Sequence, residues 1–239
     1  MRLRVVVASL VVALAGCATR DAHSSGSAYQ VDTAEVSEAG RCKIEGWTSF
    51  GGHGDFFSAV SPACSMYFLR PIELGAQFSR SRIDGEWATT AQPKLKVNFI
   101  PGEIGKFGVG FTVIPQIDLI TGELTAIAFN APFTMRTSEN TRFNVNVGWT
   151  HDRQTSKDFL TYGFGLDIRT PKNDWIFTAE VYGQLNSGVQ GPEVQPRFQV
   201  GIRYRPIDPW SIDLLYGRNI TGEGNNWITV ATTYRFSVK

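Results

Sequence analysis

PRFQVGIRYRP (residues 196–206) sets Phe198, Val200, Ile202 and Tyr204 in alternation with Arg197, Gln199, Gly201, Arg203 and Arg205. A period of two is that of a β-strand, with one apolar and one strongly polar face. In a soluble sheet the apolar face would meet a core shared with other strands. Here nearly every segment repeats the pattern, and so many half-apolar strands have no common core to share. The apolar faces are therefore read as facing lipid, with the polar faces enclosing an interior.

The pattern recurs along the chain. Ile72, Leu74, Ala76 and Phe78 alternate with Glu73 and Gln77; Phe143, Val145, Val147 and Trp149 alternate with Arg142, Asn144 and Asn146. Leu160, Tyr162, Phe164, Leu166 and Ile168 alternate with Gly163, Gly165 and Asp167, and Trp210, Ile212, Leu214 and Tyr216 with Ser211 and Asp213. The segments run to 10–13 residues, whereas a tilted membrane strand needs about 9–11. Short joins such as IPGEIGK (100–106) and RPIDP (205–209) take turns with longer polar ones, RSRIDGEWATTAQP (80–93), THDRQTSKD (150–158), QLNSGVQGPEVQP (184–196) and GRNITGEGNN (217–226). Turns that are short at one rim and long at the other belong to outer-membrane barrels. Trp149, Trp175, Trp210, Tyr216, Trp227 and Tyr234 lie near strand ends, where interfacial girdles form. The fold expected is all-β, a transmembrane antiparallel up-and-down barrel of about 12 strands over residues 42–239, with 10 strands as the alternative.

The N-terminus points to export. Arg2 and Arg4 precede an apolar run from Val5 to Ala15, too short to span a bilayer as a helix. Residues 1–16 therefore read as a signal peptide. Leu14-Ala15-Gly16-Cys17 resembles a bacterial lipobox, which implies cleavage before Cys17 and lipidation of it; ordinary signal cleavage nearby is the alternative. Residues 17–41 are polar and aperiodic and read as a flexible tether. In an oxidising compartment Cys42 and Cys64 fall opposite one another if the chain folds back at GGHG (51–54), so a disulfide is expected, with a reduced pair as the alternative.

NVNVGWTHDR, TYGFGLDI, TAEVYGQL, FQVGIRYRP, DLLYGRN and WITVATTYRF resemble the C-terminal half of outer-membrane proteins of the phenol-degradation MetA-pathway type, which are transporter-like. Phe236 near the terminus also resembles the aromatic end of barrel signals. The resemblance implies transport across the outer membrane without naming a solute, and it implies the assembly machinery of outer-membrane barrels as a partner, with outer-membrane lipid around the wall.

The polar faces place Glu73, Lys94, Lys96, Arg136, Arg142, Asp167, Arg169, Glu180, Arg197, Arg203, Arg205, Asp213 and Arg235 in the lumen. A base-rich wet wall favours anions; opposite charges pairing across a plugged barrel are the competing arrangement, with loops or the tether as the closure. A passive channel for small solutes, anions among them, is the expected function, and a plugged structural or adhesion-type barrel the alternative. An outer-membrane lipid hydrolase would have to use His151 with Asp152 and Ser156, a loop of common composition; the chain is not expected to be an enzyme. No metal-ligand spacing or dinucleotide motif occurs, so no cofactor is expected. A formal net charge of +1 gives no electrostatic reason to bind nucleic acid.

Overall fold

The computed structural model describes residues 28–170, 175–186, 188, 194–221 and 225–238. Residues 1–16, expected to be a signal peptide, Cys17 and the part of the expected tether before residue 28 lie outside the described residues. Twelve strands form the wall: β1 (Arg41–Gly51), β2 (Phe56–Phe68), β3 (Arg70–Ile83), β4 (Glu86–Ile100), β5 (Phe107–Asp118), β6 (Leu124–Arg136), β7 (Thr141–Asp152), β8 (Lys157–Arg169), β9 (Trp175–Leu185), β10 (Arg197–Ile207), β11 (Trp210–Asn219) and β12 (Asn226–Ser237). Each pairs antiparallel with its sequence neighbours, and β1 pairs with β12 from Arg41↔Ser237 to Gly51↔Trp227, closing the barrel. The ten-stranded alternative is thereby set aside, since β1 and β2 both belong to the wall.

The polarity of the wall is inverted relative to a soluble barrel. In β10, Val200, Ile202 and Tyr204 are 40–45% exposed on the outside, whereas Gln199 and Arg203 are 2% and 0% exposed inside. A hydrocarbon environment accounts for both faces: apolar groups outward lose nothing in lipid, and polar groups survive only where partners or water reach them. Trp149, Trp175, Trp210, Tyr216 and Tyr234 stand on the outer face as the girdle reading expects. Trp227 does not. It turns inward over Gly217, its partner in the ladder, where an added Cβ would stand 2.1 Å from the indole. Strand parity explains this, because Ile228 and Val230 beside it point outward.

Cys42 and Cys64 are register partners of β1 and β2 and form a disulfide. Ile44 and Met66, next but one along each strand, are exposed, which puts the bridge on the outer face near the short-turn rim. The rims are less unequal than the sequence suggests. RSRIDGEWATTAQP is not a long loop: β3 runs to Ile83, β4 resumes at Glu86, and Asp84 and Gly85, both at positive φ, make a two-residue turn. Likewise THDRQTSKD is mostly strand, leaving residues 153–156 as the turn.

Leu214 lies in the middle of β11 with its side chain 56% exposed on the outer face. Leu214→Arg should destabilise the folded barrel by ~2–4 kcal/mol, the usual penalty for a cation near the bilayer midplane. Denaturant titration of the refolded protein in lipid vesicles measures it.

Candidate functional site: the lumen and its internal segment

Residues 28–40, expected as the end of a flexible tether, run inside the barrel instead. The segment is fastened at the short-turn rim, where the Gly40 N–H donates to the Ser65 carbonyl and the Val238 N–H donates to the Gly40 carbonyl. Gly40 takes a positive φ of 83°, which lets the chain bend off β1 into the lumen. From there it climbs across the interior and reaches the β9–β11 wall at Tyr29.

Each step is held by a named wall side chain. Glu35 accepts from Arg136 Nε at 2.6 Å and Arg142 Nη1 at 2.8 Å. Arg142 also donates to Asp167, which takes further hydrogen bonds from Asn144 and Thr178. The Ala34 N–H donates to Thr134 Oγ1 (2.8 Å), and its carbonyl accepts from Asn98 (2.6 Å). The Asp32 carboxylate accepts from Lys96 at 2.8 Å and Lys94 at 3.2 Å, while its N–H and C=O are both matched by the Asn146 amide. Glu180 accepts the N–H groups of Gln30 and Val31. Tyr29 donates to Asp213 at 2.7 Å, and Arg203, itself 2.6 Å from Asp213, lies over the tyrosine ring.

The wall is cut to receive this segment. Val31 Cγ2 would stand 2.9 Å from a Cβ at position 163, and Val31 Cγ1 3.2 Å from one at 165. At Gly110 an added Cβ would stand 3.1 Å from the Ala34 carbonyl oxygen. These glycines alternate with Phe164 and Phe111 on the lipid face, so they are placed by strand parity at a close approach of backbone to wall.

Towards the other rim the interior opens into a vestibule of about 830 Å³. Its floor is Ala28, Tyr29, Gln30 and Asp32; its sides include Trp47, Phe57, Tyr182, Trp227, Lys94 and Arg197; His53, Asp84 and Asn225 stand at the mouth. One side is apolar, since Trp47, Phe57 and Leu215 pack with Tyr29. The lumen is thus a cup, open towards the turns after β1 and β3 and closed by residues 28–40.

The sequence-assigned lumen residues divide by height. Glu73, Lys96, Arg142, Asp167, Glu180, Arg203 and Asp213 are buried within the wall, and Lys94 and Arg197 border the vestibule. Arg169 borders a small crevice with Arg136 and Arg142, Arg205 lies 3.7 Å from Asp208, and Arg235 donates to Ser211. The arginines of the opening stretch do not face one common path: Arg203 is sealed under Tyr29, Arg197 meets the vestibule and Arg205 the short-turn rim. The residues missed from sequence are Trp47 and Phe57; the tether is among the expected closures, but residues 28–40 are not singled out as the part that enters the lumen. Its signal was there: Asp32, Glu35 and Glu38 fall in ten residues without a base, opposite a wall richer in bases than acids.

The loop weighed for catalysis does not assemble as such. His151 Nδ1 is 2.9 Å from Asp158 on the outer side of the β7–β8 hairpin, while Asp152 accepts the N–H groups of Gln154 and Thr155 in its own turn. Among the described residues, no group of three or more His, Cys, Asp or Glu side chains is placed to hold a metal ion.

Residues 12–236 match the family described as "Uncharacterised conserved protein UCP029691". The chain belongs to that family. No curated protein matches it. Among solved structures it is similar to the KdgM porin in complex with disordered oligogalacturonate (9% identity, TM-score 0.61, 81% of this chain and 99% of that one). It is similar too to the NanC porin (7%, 0.59, 80% and 98%) and to an outer membrane channel from Pseudomonas putida F1 (11%, 0.58, 87% and 100%). At such identities the likeness is one of fold, that of the outer-membrane barrel.

Gly163→Leu should drive Val31 from its slot while leaving the outer face unchanged. Proteinase K cleavage within residues 28–40 of the folded protein should then rise by about tenfold, as expected when a local contact worth ~1.4 kcal/mol is lost; fragment mass spectrometry reads the cut.

Proposed function

We propose that this family member is a gated passive channel of the bacterial outer membrane for small polar solutes, with residues 28–40 as its gate. The observation that carries the reading is the vestibule floored by a chain segment that is no part of the wall. The main-chain N–H groups of Gln30, Val31, Asp32 and Ala34 are held by wall side chains, and the segment adds no strand to the ladder. Pivoting at Gly40, residues 28–39 can therefore leave the lumen without breaking a strand-to-strand hydrogen bond of the wall, which a plug built from the sheet itself could not do.

Two further lines support passage. The interior is polar around the segment, as a water-filled path requires. The porins and the channel of similar fold carry transport in their names, and the resemblance to MetA-pathway outer-membrane proteins points the same way. The fixed charge of the lumen favours no ion strongly while the gate is seated, because Arg203, Arg142 and Lys96 each have a carboxylate against them. Lipidation of Cys17 would add an anchor to the membrane that the wall already spans, and insertion would use the barrel-assembly machinery.

Single-channel recording in planar bilayers tests the reading. The full-length protein should be mostly closed with rare openings, and a variant lacking residues 28–38 should give steady conductance steps. A silent bilayer from the shortened protein, shown to be folded by its heat-modifiable gel shift, would overturn the channel and favour a permanently plugged structural barrel.

A further inference from the structure

We infer that the wall facing residues 30–36 is a binding track for a linear oligocarboxylate, and that the protein's own acidic segment occupies it as a built-in mimic; access of a solute to the track rests on the channel reading above.

Two cationic stations define the track. Lys94 and Lys96 of β4 converge on the Asp32 carboxylate, and Arg136 of β6 with Arg142 of β7 converge on that of Glu35. The Lys96 and Arg142 side chains are each 2% exposed. A cation so buried is tolerable only beside an anion, and the wall leaves part of that role to the segment. Lys96 pairs with Asp32 at 2.8 Å and has Glu73 of β3 opposite it in the ladder, whereas Arg203 pairs with Asp213 of the next strand. The stations differ in kind as well. Two ammonium groups make a focused positive charge, and two guanidinium groups present forks that match both oxygens of one carboxylate.

Between the stations the wall handles a polar chain instead of a charge. Asn146, Thr134 and Asn98 bond the main-chain N–H and C=O groups of Asp32 and Ala34, and these same amides and hydroxyls can serve other polar backbones. Gly163, Gly165 and Gly110 bring the wall surface close to the chain axis, so the occupant must be slender. Asp32 and Glu35 are three residues apart, a span of at most ~10 Å in extended chain. The ligand these features fit is a slender chain with at least two carboxylates at that spacing and hydrogen-bonding groups between them.

The test uses the full chain with Asp32→Asn/Glu35→Gln, which removes the segment's charge and leaves its shape. A fluorescent acetyl-Asp-Thr-Ala-Glu-amide peptide is titrated against the folded, detergent-solubilised variant by polarisation, with acetyl-Asn-Thr-Ala-Gln-amide as the neutral match. The variant should bind the acidic peptide at least ~10-fold more tightly than the neutral one, and at least ~10-fold more tightly than the parent chain with its own segment seated. Because the double variant can fail to fold, a second preparation carries a protease site in place of residues 37–39, cut after folding, with the freed segment washed out in high salt; the same peptide preference is expected. Equal binding of the two peptides, or none, in folded protein overturns the track. Bilayer recordings of the same preparations separate the two readings. Selective binding without conductance keeps the track and removes the channel, and conductance without selective binding does the reverse.

Discussion

A backbone in hydrocarbon has no water to fall back on, so every N–H and C=O in the wall must find a partner in the wall. The β1–β12 ladder meets that requirement by leaving no edge strand. Once the ring is closed and its register fixed, the period of two decides where every side chain goes, and a slip of one residue would exchange lipid face for lumen. The apolar exterior, the charged interior and the position of the glycine slot all follow from that one constraint.

The interior then faces a difficulty of its own. Guanidinium and ammonium groups at Arg203, Arg142 and Lys96 are almost wholly out of solvent, and the cost of desolvating an isolated charge far exceeds any one hydrogen bond. The wall answers part of it with Asp213 and Asp167, paired across neighbouring strands. Asp32 and Glu35 answer the rest from inside. The segment is thus held by complementarity of charge and shape and not by strand pairing, which makes it specific and separable at once.

The fold was legible because the signal is redundant: a dozen segments repeat the alternation of Val200, Ile202 and Tyr204 with Gln199 and Arg203. Cys42 and Cys64 were legible for the same reason, since a hairpin register follows from its turn. Rim detail was harder to read. Ser81, Thr89 and Thr90 look like loop composition, yet they pair as strand because Asp84-Gly85 supplies a tight turn. Trp227 read as interfacial by type and nearness to a strand end, while its parity sent it inward. The site was half legible. Parity gave the wall residues, but Ala28–Gly40 carries no period, and nothing local distinguishes a tether from a chain that binds its own barrel. Only the long-range match of its acids to Lys96, Arg136 and Arg142 does so, and such contacts span more than sixty residues of sequence.

The attachment of residues 28–40 directly to β1 also bears on the order of assembly. β1 joins the last strand only when the whole chain is present, and its zippering to β12 converts an open sheet into a ring. A segment covalently continuous with β1 is already beside the inner surface when that seam closes. It need not be threaded through a finished mouth. Lying against β4, β6 and β7, it can neutralise their cations while the sheet is still curling, and so act as a mandrel around which the wall takes its curvature.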